Sequence, residues 1–374
     1  MTSRRLGVAA ALVDGSFVAG DVRLEGGLVA AVGLPPAAGG GLAAPGLVDL
    51  QVNGYAGVDF LTSEAPAWHT AERALARAGV TAYVANLITA RSDATAAALR
   101  TTAGLVAGAA GGAHGRGGSR CLGAHLEGPF LSPARRGTHP EQHLRSPSRE
   151  LLEPLLATGP VVGVTIAPEL PGAIEVIGWV SASGVLVALG HSDATADAAN
   201  AGFDAGARTV THVFNAMNGL TSRAPGLAGT ALARADVAVQ AILDGHHLSA
   251  ETAAVVVAAA GRRLVLVSDA LAAAGAPDGT YRLGDVDVTK VGDEARHAGG
   301  GLAGSVSPLI SCVRRAVDAG ATVEHALAAA SSWPAQLIGR TDLGRLRPGD
   351  RADVVVLDDT LSVSSAYVAG ALAE

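Results

Sequence analysis

The run CLGAHLE at residues 121–127 decides the fold, because it is a largely apolar stretch that ends in a carboxylate, Glu127. Three other runs share this form, a short apolar segment that ends in a histidine or an aspartate: 184–191 (GVLVALGH), 207–212 (ARTVTH) and 263–269 (RLVLVSD). Short apolar runs of this kind are typical of buried parallel strands. A metal-binding or proton-transferring side chain at the C-terminal end of strand after strand is typical of an enzyme built on a parallel barrel.

Outward from these runs, strand-like and helix-like segments alternate from residue 46 onward. The strand-like runs lie at residues 46–52, 79–85, 121–126, 161–167, 185–189, 207–211, 237–243 and 263–268. Ala-rich segments of helical character lie between them, at residues 68–78, 92–106, 148–158, 194–202 and 249–260. Eight repeated strand–helix units predict an α/β fold with a closed (β/α)8 barrel of the TIM type.

Both ends of the chain have a different pattern, in which short alternating runs are separated by Gly-rich turns. These runs lie at residues 6–13, 17–24, 28–32 and, after a turn-rich segment, 354–357. We predict that residues 1–46 and 341–374 together form a small β-sandwich, beside a barrel domain of residues 47–340.

Three further segments complete the predicted architecture. Residues 281–291 are predicted to form a hairpin inserted late in the barrel, and two helices are predicted after it, at residues 307–319 and 323–338. The Gly-rich segment 111–118 is predicted to be a flexible loop without a function.

Composition and charge exclude several classes of function. The chain has 374 residues, of which 49% are apolar and 16% charged, so it has ample core and is not disordered. A net charge of -7 and the lack of any basic run longer than a pair argue against nucleic-acid binding. The densest apolar run, 252–260, is too short to span a bilayer, so no membrane association is expected. We expect a cytoplasmic protein in which Cys121 and Cys312 are reduced, buried thiols.

Glu127, His191 and His212 form the strongest candidate metal site. One carboxylate and two imidazoles suit a borderline divalent ion such as zinc and leave a position open for water. A single histidine at a strand end is more often a hydrogen-bonded structural residue, but three ligand types at the same edge favour a metal. His125 shares a strand face with Glu127, and we expect it to be a core histidine.

Other candidate residues have two interpretations each. Asp269 could take a proton from a water at the metal and pass it to a leaving group, or it could cap a following helix. His139 lies in a loop rich in Gly and Pro, where it could close on a substrate or simply be solvated. Arg223 is either a partner for a phosphate or a surface arginine. Of the adjacent His246 and His247, at most one is expected to face a site.

Several motifs resemble those of the N-acetylglucosamine-6-phosphate deacetylases, a branch of the amidohydrolase superfamily. They are found at residues 125–130 (HLEGPF), 137–139 (GTH), 190–195 (GHSDAT), 211–217 (THVFNAM), 225–229 (PGLAG), 268–270 (SDA) and 301–305 (GLAGS). The resemblance covers nearly the whole chain, from 45–49 (PGLVD) to 347–353 (RPGDRAD), although these two outer segments are shared across the superfamily. The ordered combination of motifs is highly specific.

The resemblance implies a metal-dependent barrel flanked by a β-sandwich, usually as a homodimer. The implied reaction is hydrolysis of the acetamide of N-acetyl-D-glucosamine 6-phosphate to D-glucosamine 6-phosphate and acetate, in amino-sugar catabolism. Glu127, His191 and His212 match the family's metal ligands. Asp269 matches its general acid/base, and His139 matches a residue that positions or polarises the acetamide carbonyl.

Further positions match residues that hold the sugar phosphate in this family: Asn215, Ala216, Arg223, His247 and Leu302. The family's phosphate-contacting arginine can reach across a dimer, so Arg223 could act in either subunit. One departure from the wider superfamily is that Gln51 and Asn53 replace the usual His-x-His pair of the first strand. Gln and Asn are poor zinc ligands beside imidazole, so we predict one divalent ion per subunit, with Zn²⁺ expected and other divalent ions open.

Three other interpretations stay open from the sequence. The chain could act on the galacto epimer of the same phosphorylated sugar. It could be another cyclic-amide or deaminating amidohydrolase, which the missing His-x-His pair and the intact 137–139 and 215–217 segments argue against. It could also be an inactive scaffold, which is hard to reconcile with the presence of all three ligand residues and Asp269.

Overall fold

The structure is a computed structural model that describes residues 3–35, 39–110 and 117–374. Residues 111–116 of the predicted flexible loop lie outside the described residues. The N-terminal part forms six strands: β1 (Ser3–Arg5), β2 (Ala10–Val13), β3 (Ser16–Ala19), β4 (Asp21–Glu25), β5 (Leu28–Leu34) and β6 (Leu42–Pro45).

An eight-stranded parallel sheet follows and curves into a barrel. Its strands, with a short hairpin of β8 (Gly54–Tyr55) and β9 (Val58–Asp59) after the first, are β7 (Leu47–Val52), β10 (Val80–Ile88), β11 (Arg120–Glu127), β12 (Val161–Ile166), β13 (Leu186–Leu189), β14 (Thr209–Val210), β15 (Ala238–Ala241) and β16 (Leu264–Leu266). Strand order follows the chain, and a parallel bridge from Val52 to Ala270 joins the two ends. All eight predicted strands are therefore confirmed.

Helices cover the outside of the barrel, as the alternating pattern predicts. The first seven are α1 (Ala65–Arg77), α2 (Ser92–Ala110), α3 (Arg149–Leu156), α4 (Ala173–Ala182), α5 (Ala196–Asp204), α6 (Gly226–Ala233) and α7 (Ala250–Ala260). Three start at a hydroxyl that accepts a backbone N–H three residues on: Ser148 in α3, Thr195 in α5 and Ser249 in α7. The sequence did not predict α4 and α6, because glycines and a nearly uniform apolar composition hide their helical period.

The inserted hairpin has a third strand. It forms an antiparallel sheet of β17 (Gly279–Leu283), β18 (Val286–Val291) and β19 (Glu294–His297), followed by α8 (Leu309–Asp318), α9 (Val323–Ala329) and α10 (Ser332–Leu337). The prediction of one helix over 323–338 is wrong. Ser331, at φ -140° and ψ -79°, leaves the helical conformation, and Pro334 has no N–H to continue the helical hydrogen bonds.

The C-terminal strands return to the first ones. These are β20 (Val354–Leu357), β21 (Val363–Val368) and β22 (Ala371–Leu372), which form a sheet in the order β22-β21-β20-β6-β2-β3. A second sheet, β1-β4-β5, shares an apolar core with it that includes Val22, Leu24, Val354 and Tyr367. Both chain ends thus form one β unit, as predicted, whereas the domain limits at 46 and 340 stay predictions. No helix among the described residues is both long and apolar enough to cross a membrane.

Candidate active site

A cavity of about 310 Å³ opens at the C-terminal ends of the barrel strands, and we call it the catalytic cavity. The residues at its base come from the ends of five strands: Asn53, Glu127, His191, His212 and Asp269, joined by the loop residue His139. Four further residues singled out in the sequence also line it: Asn215, Ala216, His247 and Leu302. Parallel strands all end at the same edge, so distant segments of the sequence meet here.

Three ligand atoms at the base form a tight triangle. Glu127 Oε1 lies 3.0 Å from both His191 Nε2 and His212 Nε2, and the two Nε2 atoms are 3.1 Å apart. All three side chains are buried. A zinc ion bonded at about 2.0–2.2 Å to each of three such atoms needs them roughly 3–3.5 Å apart. The triangle therefore suits one divalent ion.

His139 lies close enough to be a metal ligand, since its ring has a nitrogen within 4.8 Å of ligand atoms of Glu127 and His191. Its hydrogen bonding, however, differs from that of a ligand. The Thr89 N–H donates to His139 Nδ1 at 3.2 Å, so the proton of the neutral ring is on Nε2. His191 is the reverse: its Nδ1 faces the Arg135 carbonyl oxygen at 3.0 Å, which keeps a proton on Nδ1 and a lone pair on Nε2. His191 can bind an ion through Nε2, whereas His139 presents an N–H.

Amides occupy the place of the superfamily's usual first-strand histidines. The Gln51 amide donates to Glu127 Oε1 at 3.2 Å, and the Asn53 amide donates to Asp269 Oδ1 at 2.7 Å. A third amide, Asn86, donates to Glu127 Oε2 at 2.8 Å. These side chains present hydrogens, not lone pairs, to the two carboxylates. Asn86 was not recognised in the sequence, although it directly follows the strand-like run 79–85, because its partners are neighbours only in space.

The environment of Asp269 suits proton transfer near neutral pH. Burial, and next the charge of Glu127, raise the pKa of Asp269 to about 7, while His212 and the Asn53 amide act in the opposite direction. The carboxylate accepts a proton only when ionised, so this role is favoured as pH rises through that pKa. No helix begins directly after Asp269, since the next element along the chain is β17 at Gly279, which excludes the helix-cap interpretation.

Glu127 is held in its ionised form. Burial alone would raise its pKa, but the neighbouring rings of His139, His191 and His212 outweigh burial and keep the pKa of Glu127 well below its usual range. An ionised carboxylate beside two imidazole nitrogens is a donor set that suits a divalent cation.

The backbone is strained where three of these side chains leave their strands. His191, His212 and Asp269 have φ values of 48°, 22° and 52°, in or near a left-handed region that residues with a side chain rarely adopt. Such conformations cost about 1–3 kcal/mol each and cluster at functional sites, where the surrounding structure enforces them. All three residues stand just beyond the end of a barrel strand and line the catalytic cavity.

The two adjacent histidines at the end of β15 point in different directions. His247 lines the catalytic cavity, and its Nδ1 lies 2.8 Å from Asp244 Oδ2. Burial would raise the pKa of Asp244, but the interaction with His247 prevails and lowers it. His246 instead contacts the inserted sheet, with Asp293 and Glu294 each 3.1 Å from a ring nitrogen. The Asp244 carboxylate thus holds the His247 ring at the cavity wall.

Two arginines lie close to the motifs of the site in the sequence, and the fold places them differently. Arg223 is exposed and lines a separate cavity of about 540 Å³ with residues that include Asn218, Thr221 and Gly226, so the fold does not bring it to the catalytic cavity of its own chain. Arg135 does line the catalytic cavity, and its side chain is held by Asp193 at 2.8 Å. Its position two residues before the 137–139 motif was the only sequence signal for it.

His125 is a core residue, as expected from the sequence. Its Nε2 lies 2.7 Å from Thr165 Oγ1, and the ring is 6% exposed. Burial lowers its pKa to about 4, so the imidazole is neutral. It does not line the catalytic cavity, and its ring is not among the triangle of ligand atoms.

Comparisons with known proteins agree with this architecture. Residues 42–372 match the sequence model of the amidohydrolase family. The chain is 39% identical to human N-acetylglucosamine-6-phosphate deacetylase and 36% identical to N-acetylgalactosamine-6-phosphate deacetylase of Escherichia coli O157:H7. Each match covers 89% of this chain, with 84% of the human and 88% of the bacterial protein. It is also similar to N-acetyl-D-glucosamine-6-phosphate deacetylase of Mycobacterium smegmatis, an aspartate-to-alanine mutant solved in complex with N-acetyl-D-glucosamine 6-phosphate: TM-score 0.90, 34% identity and 100% of both chains covered.

Proposed function

This chain belongs to the amidohydrolase family, and we propose that it hydrolyses the acetamide of N-acetyl-D-glucosamine 6-phosphate to D-glucosamine 6-phosphate and acetate. It would thus be a carbon–nitrogen hydrolase of amino-sugar catabolism. The observation that carries the proposal is the single cavity in which the triangle of Glu127, His191 and His212 lies beside Asp269, a carboxyl whose pKa is raised to about 7.

We propose one divalent ion per subunit, held by Glu127, His191 and His212, with zinc matching the two imidazoles and one carboxylate. The donor set fits such an ion, because each ring can present a lone pair at Nε2 and the carboxylate is ionised. The amide hydrogens of Gln51 and Asn53 support a single ion. When bound, the ion would lower the pKa of a water and polarise the acetamide carbonyl.

The remaining chemistry is assigned to two side chains. Asp269 takes the proton of the attacking water and delivers it to the nitrogen as the carbon–nitrogen bond breaks, which releases the amine and acetate. His139 donates its Nε2 hydrogen to the carbonyl oxygen as negative charge develops there. The Thr89 N–H fixes the tautomer that this role requires.

The sugar phosphate would be held at the wall of the cavity, by His247 together with Asn215, Ala216 and Leu302. All four line the cavity, and Asp244 holds the His247 ring in place. Arg223 lies outside the catalytic cavity of its own chain. This position supports a role for Arg223 in the site of a second subunit within a homodimer. The free, buried thiols of Cys121 and Cys312 support a reducing compartment, and we propose the cytoplasm.

The galacto epimer is a second candidate substrate, because the Escherichia coli relative is named for it. Acetate release should therefore be measured with N-acetylglucosamine 6-phosphate, N-acetylgalactosamine 6-phosphate and unphosphorylated N-acetylglucosamine. We expect the gluco phosphate to be hydrolysed most efficiently and the unphosphorylated sugar least. A higher kcat/KM for the galacto phosphate would assign that epimer instead. Release from none of the three would contradict the proposed function.

His247 and His246 offer a matched pair of variants. His247→Ala should raise KM for the phosphorylated substrate about 10- to 100-fold with a smaller change in kcat, since a hydrogen bond to a charged group contributes about 1.5–3 kcal/mol. His246→Ala removes an identical side chain that faces away from the cavity, and steady-state kinetics should be close to those of the unmodified protein. Equal effects of the two substitutions on KM would show that His247 does not bind the phosphate.

A further inference from the structure

We infer that Asn86 is a positioning residue, which fixes the Asn53 amide and, through it, the Asp269 carboxylate. The inference rests on the proposed function, in which Asp269 moves the proton. Asn86 lies near the end of β10, faces the barrel interior and is 1% exposed. It touches neither the attacking water nor the leaving group in the proposed reaction, so any effect it has on turnover must act through its neighbours.

A continuous chain of hydrogen bonds links the two catalytic carboxylates through two amides. Asn86 Nδ2 lies 2.8 Å from Glu127 Oε2 and 2.9 Å from Asn53 Oδ1. Asn53 Nδ2 in turn lies 2.7 Å from Asp269 Oδ1. Both polar groups of Asn53 are therefore engaged, one by the acid/base carboxylate and the other by Asn86.

The chemistry of the partners settles the orientation of both amides. Asp269, when ionised, accepts hydrogen bonds only, so Asn53 must turn its NH2 group toward it and its oxygen toward Asn86. That oxygen and the Glu127 carboxylate are both acceptors, so Asn86 must place its NH2 group between them. Each amide orientation follows from the carboxylate at its end of the chain.

Without Asn86, the Asn53 amide would keep its hydrogen bond to Asp269 but lose the donor to its Oδ1. The main chain of Asn53 is anchored independently, because its N–H donates to the Ala270 carbonyl at 2.7 Å. The loss of Asn86 therefore loosens the side-chain amide alone. An amide held at one end can shift out of its present position, which weakens the hydrogen bond that orients the Asp269 carboxylate.

The hydrogen bonding of Asn86 itself also favours a functional role. Its Oδ1 is buried and has no hydrogen-bond partner among the described residues. An unsatisfied buried acceptor costs about 1–3 kcal/mol, so packing alone does not explain an amide at this point of the barrel. The two hydrogen bonds that Asn86 Nδ2 donates, to Asn53 and to Glu127, explain why an amide stands at this position.

The test uses the whole 374-residue chain loaded with zinc, and a double-mutant cycle with Asn86→Ala and Asn53→Ala. Asn86→Ala should lower kcat for acetate release about 10- to 100-fold with KM within about twofold, in the range found for residues that orient catalytic groups. In the Asn53→Ala background, Asn86→Ala should change kcat little, because the residue through which it acts is already gone. Asn86→Leu, which fills the space, should reproduce the Asn86→Ala loss.

Gln240→Leu is the matched control, since Gln240 is a buried barrel amide that donates to Thr209 at 3.3 Å and does not line the catalytic cavity. It should alter thermal unfolding without altering kcat. Zinc affinity, measured by competition with a chelator, gives a readout that is independent of turnover, because Asn86 also contacts Glu127. The inferred role requires that the loss of kcat persist at saturating zinc.

Three results would overturn the inference while the proposed function stands. They are unchanged kcat in both Asn86 variants, additive effects in the cycle, and a loss that disappears once zinc is saturating. The last would make Asn86 a support for the ion, not for Asp269. If the unmodified chain releases no acetate, the inference and the proposed function both fail.

Discussion

Replacing Asp269 by Asn is expected to lower kcat for acetate release about 100- to 10,000-fold, the range that general acid–base catalysis supplies. The amide keeps the size of the carboxyl group but cannot take a proton from water or return it to the leaving nitrogen. Zinc content and substrate affinity should change little, because the ligand triangle and the phosphate-binding residues are intact. Acetate release, metal analysis and calorimetric binding of the substrate together test this expectation.

Asp21→Asn provides the control for the loss of a buried carboxylate. Asp21 is fully buried in the β-sandwich, where it pairs with Arg5 at 2.8 Å, far along the chain from any residue of the catalytic cavity. This variant should be less stable to heat yet retain its kcat. An Asp269→Asn protein with nearly unchanged turnover would refute the acid/base assignment, whatever the behaviour of the control.

His212→Ala and His139→Ala are expected to fail in different ways. His212→Ala removes one corner of the ligand triangle, so zinc should be lost on dialysis and activity should fall below detection. His139→Ala removes an N–H donor, so zinc should remain bound while kcat falls about 100- to 1,000-fold, as for the loss of one donor to a developing oxyanion. Metal content and acetate release are measured on the same preparations.

This comparison tests which of two overlapping histidine sets holds the ion. Glu127, His139 and His191 also lie close enough to form a metal site by distance alone. The tautomers argue against that set, because the Thr89 N–H occupies Nδ1 of His139 and leaves a hydrogen on Nε2. Retention of zinc by His212→Ala and its loss from His139→Ala would reverse the assignment.

The barrel was predictable because its strands are buried on both sides. Such strands are continuous apolar runs, and in the sequence each stands out from the Ala-rich helices that follow. Glu127, His191, His212 and Asp269 were recognisable for the same reason, since each interrupts the end of such a run. Because the strands are parallel, their C-terminal ends meet at one edge of the barrel, so the strand positions alone predict that these residues lie together.

The sequence does not reveal features that depend on neighbours in space. Asn86 follows a strand-like run, as the metal ligands do, but its contacts with Asn53 and Glu127 form only in the fold. The same holds for the proton positions on His139 and His191, which the Thr89 N–H and the Arg135 carbonyl oxygen determine. These contacts arise only when the barrel closes.

Arg223 and the helix break at Ser331 show two other limits of sequence reasoning. The resemblance left open which subunit's site Arg223 would serve, and the fold of one chain places it beside a cavity other than the catalytic one. Ser331 follows a run of alanines with high helix propensity, and tertiary packing overrides that propensity. In both cases, local pattern is a weaker determinant than the arrangement of whole elements.

The central claim is that one divalent ion, held by Glu127, His191 and His212, serves the hydrolysis of a phosphorylated N-acetyl amino sugar. The most direct test is a titration of the metal-free chain with zinc, monitored by acetate release from N-acetylglucosamine 6-phosphate. We predict negligible release without zinc and a linear rise that ends at one equivalent per chain. Release that is independent of zinc, or that continues to rise to two equivalents, would contradict the claim.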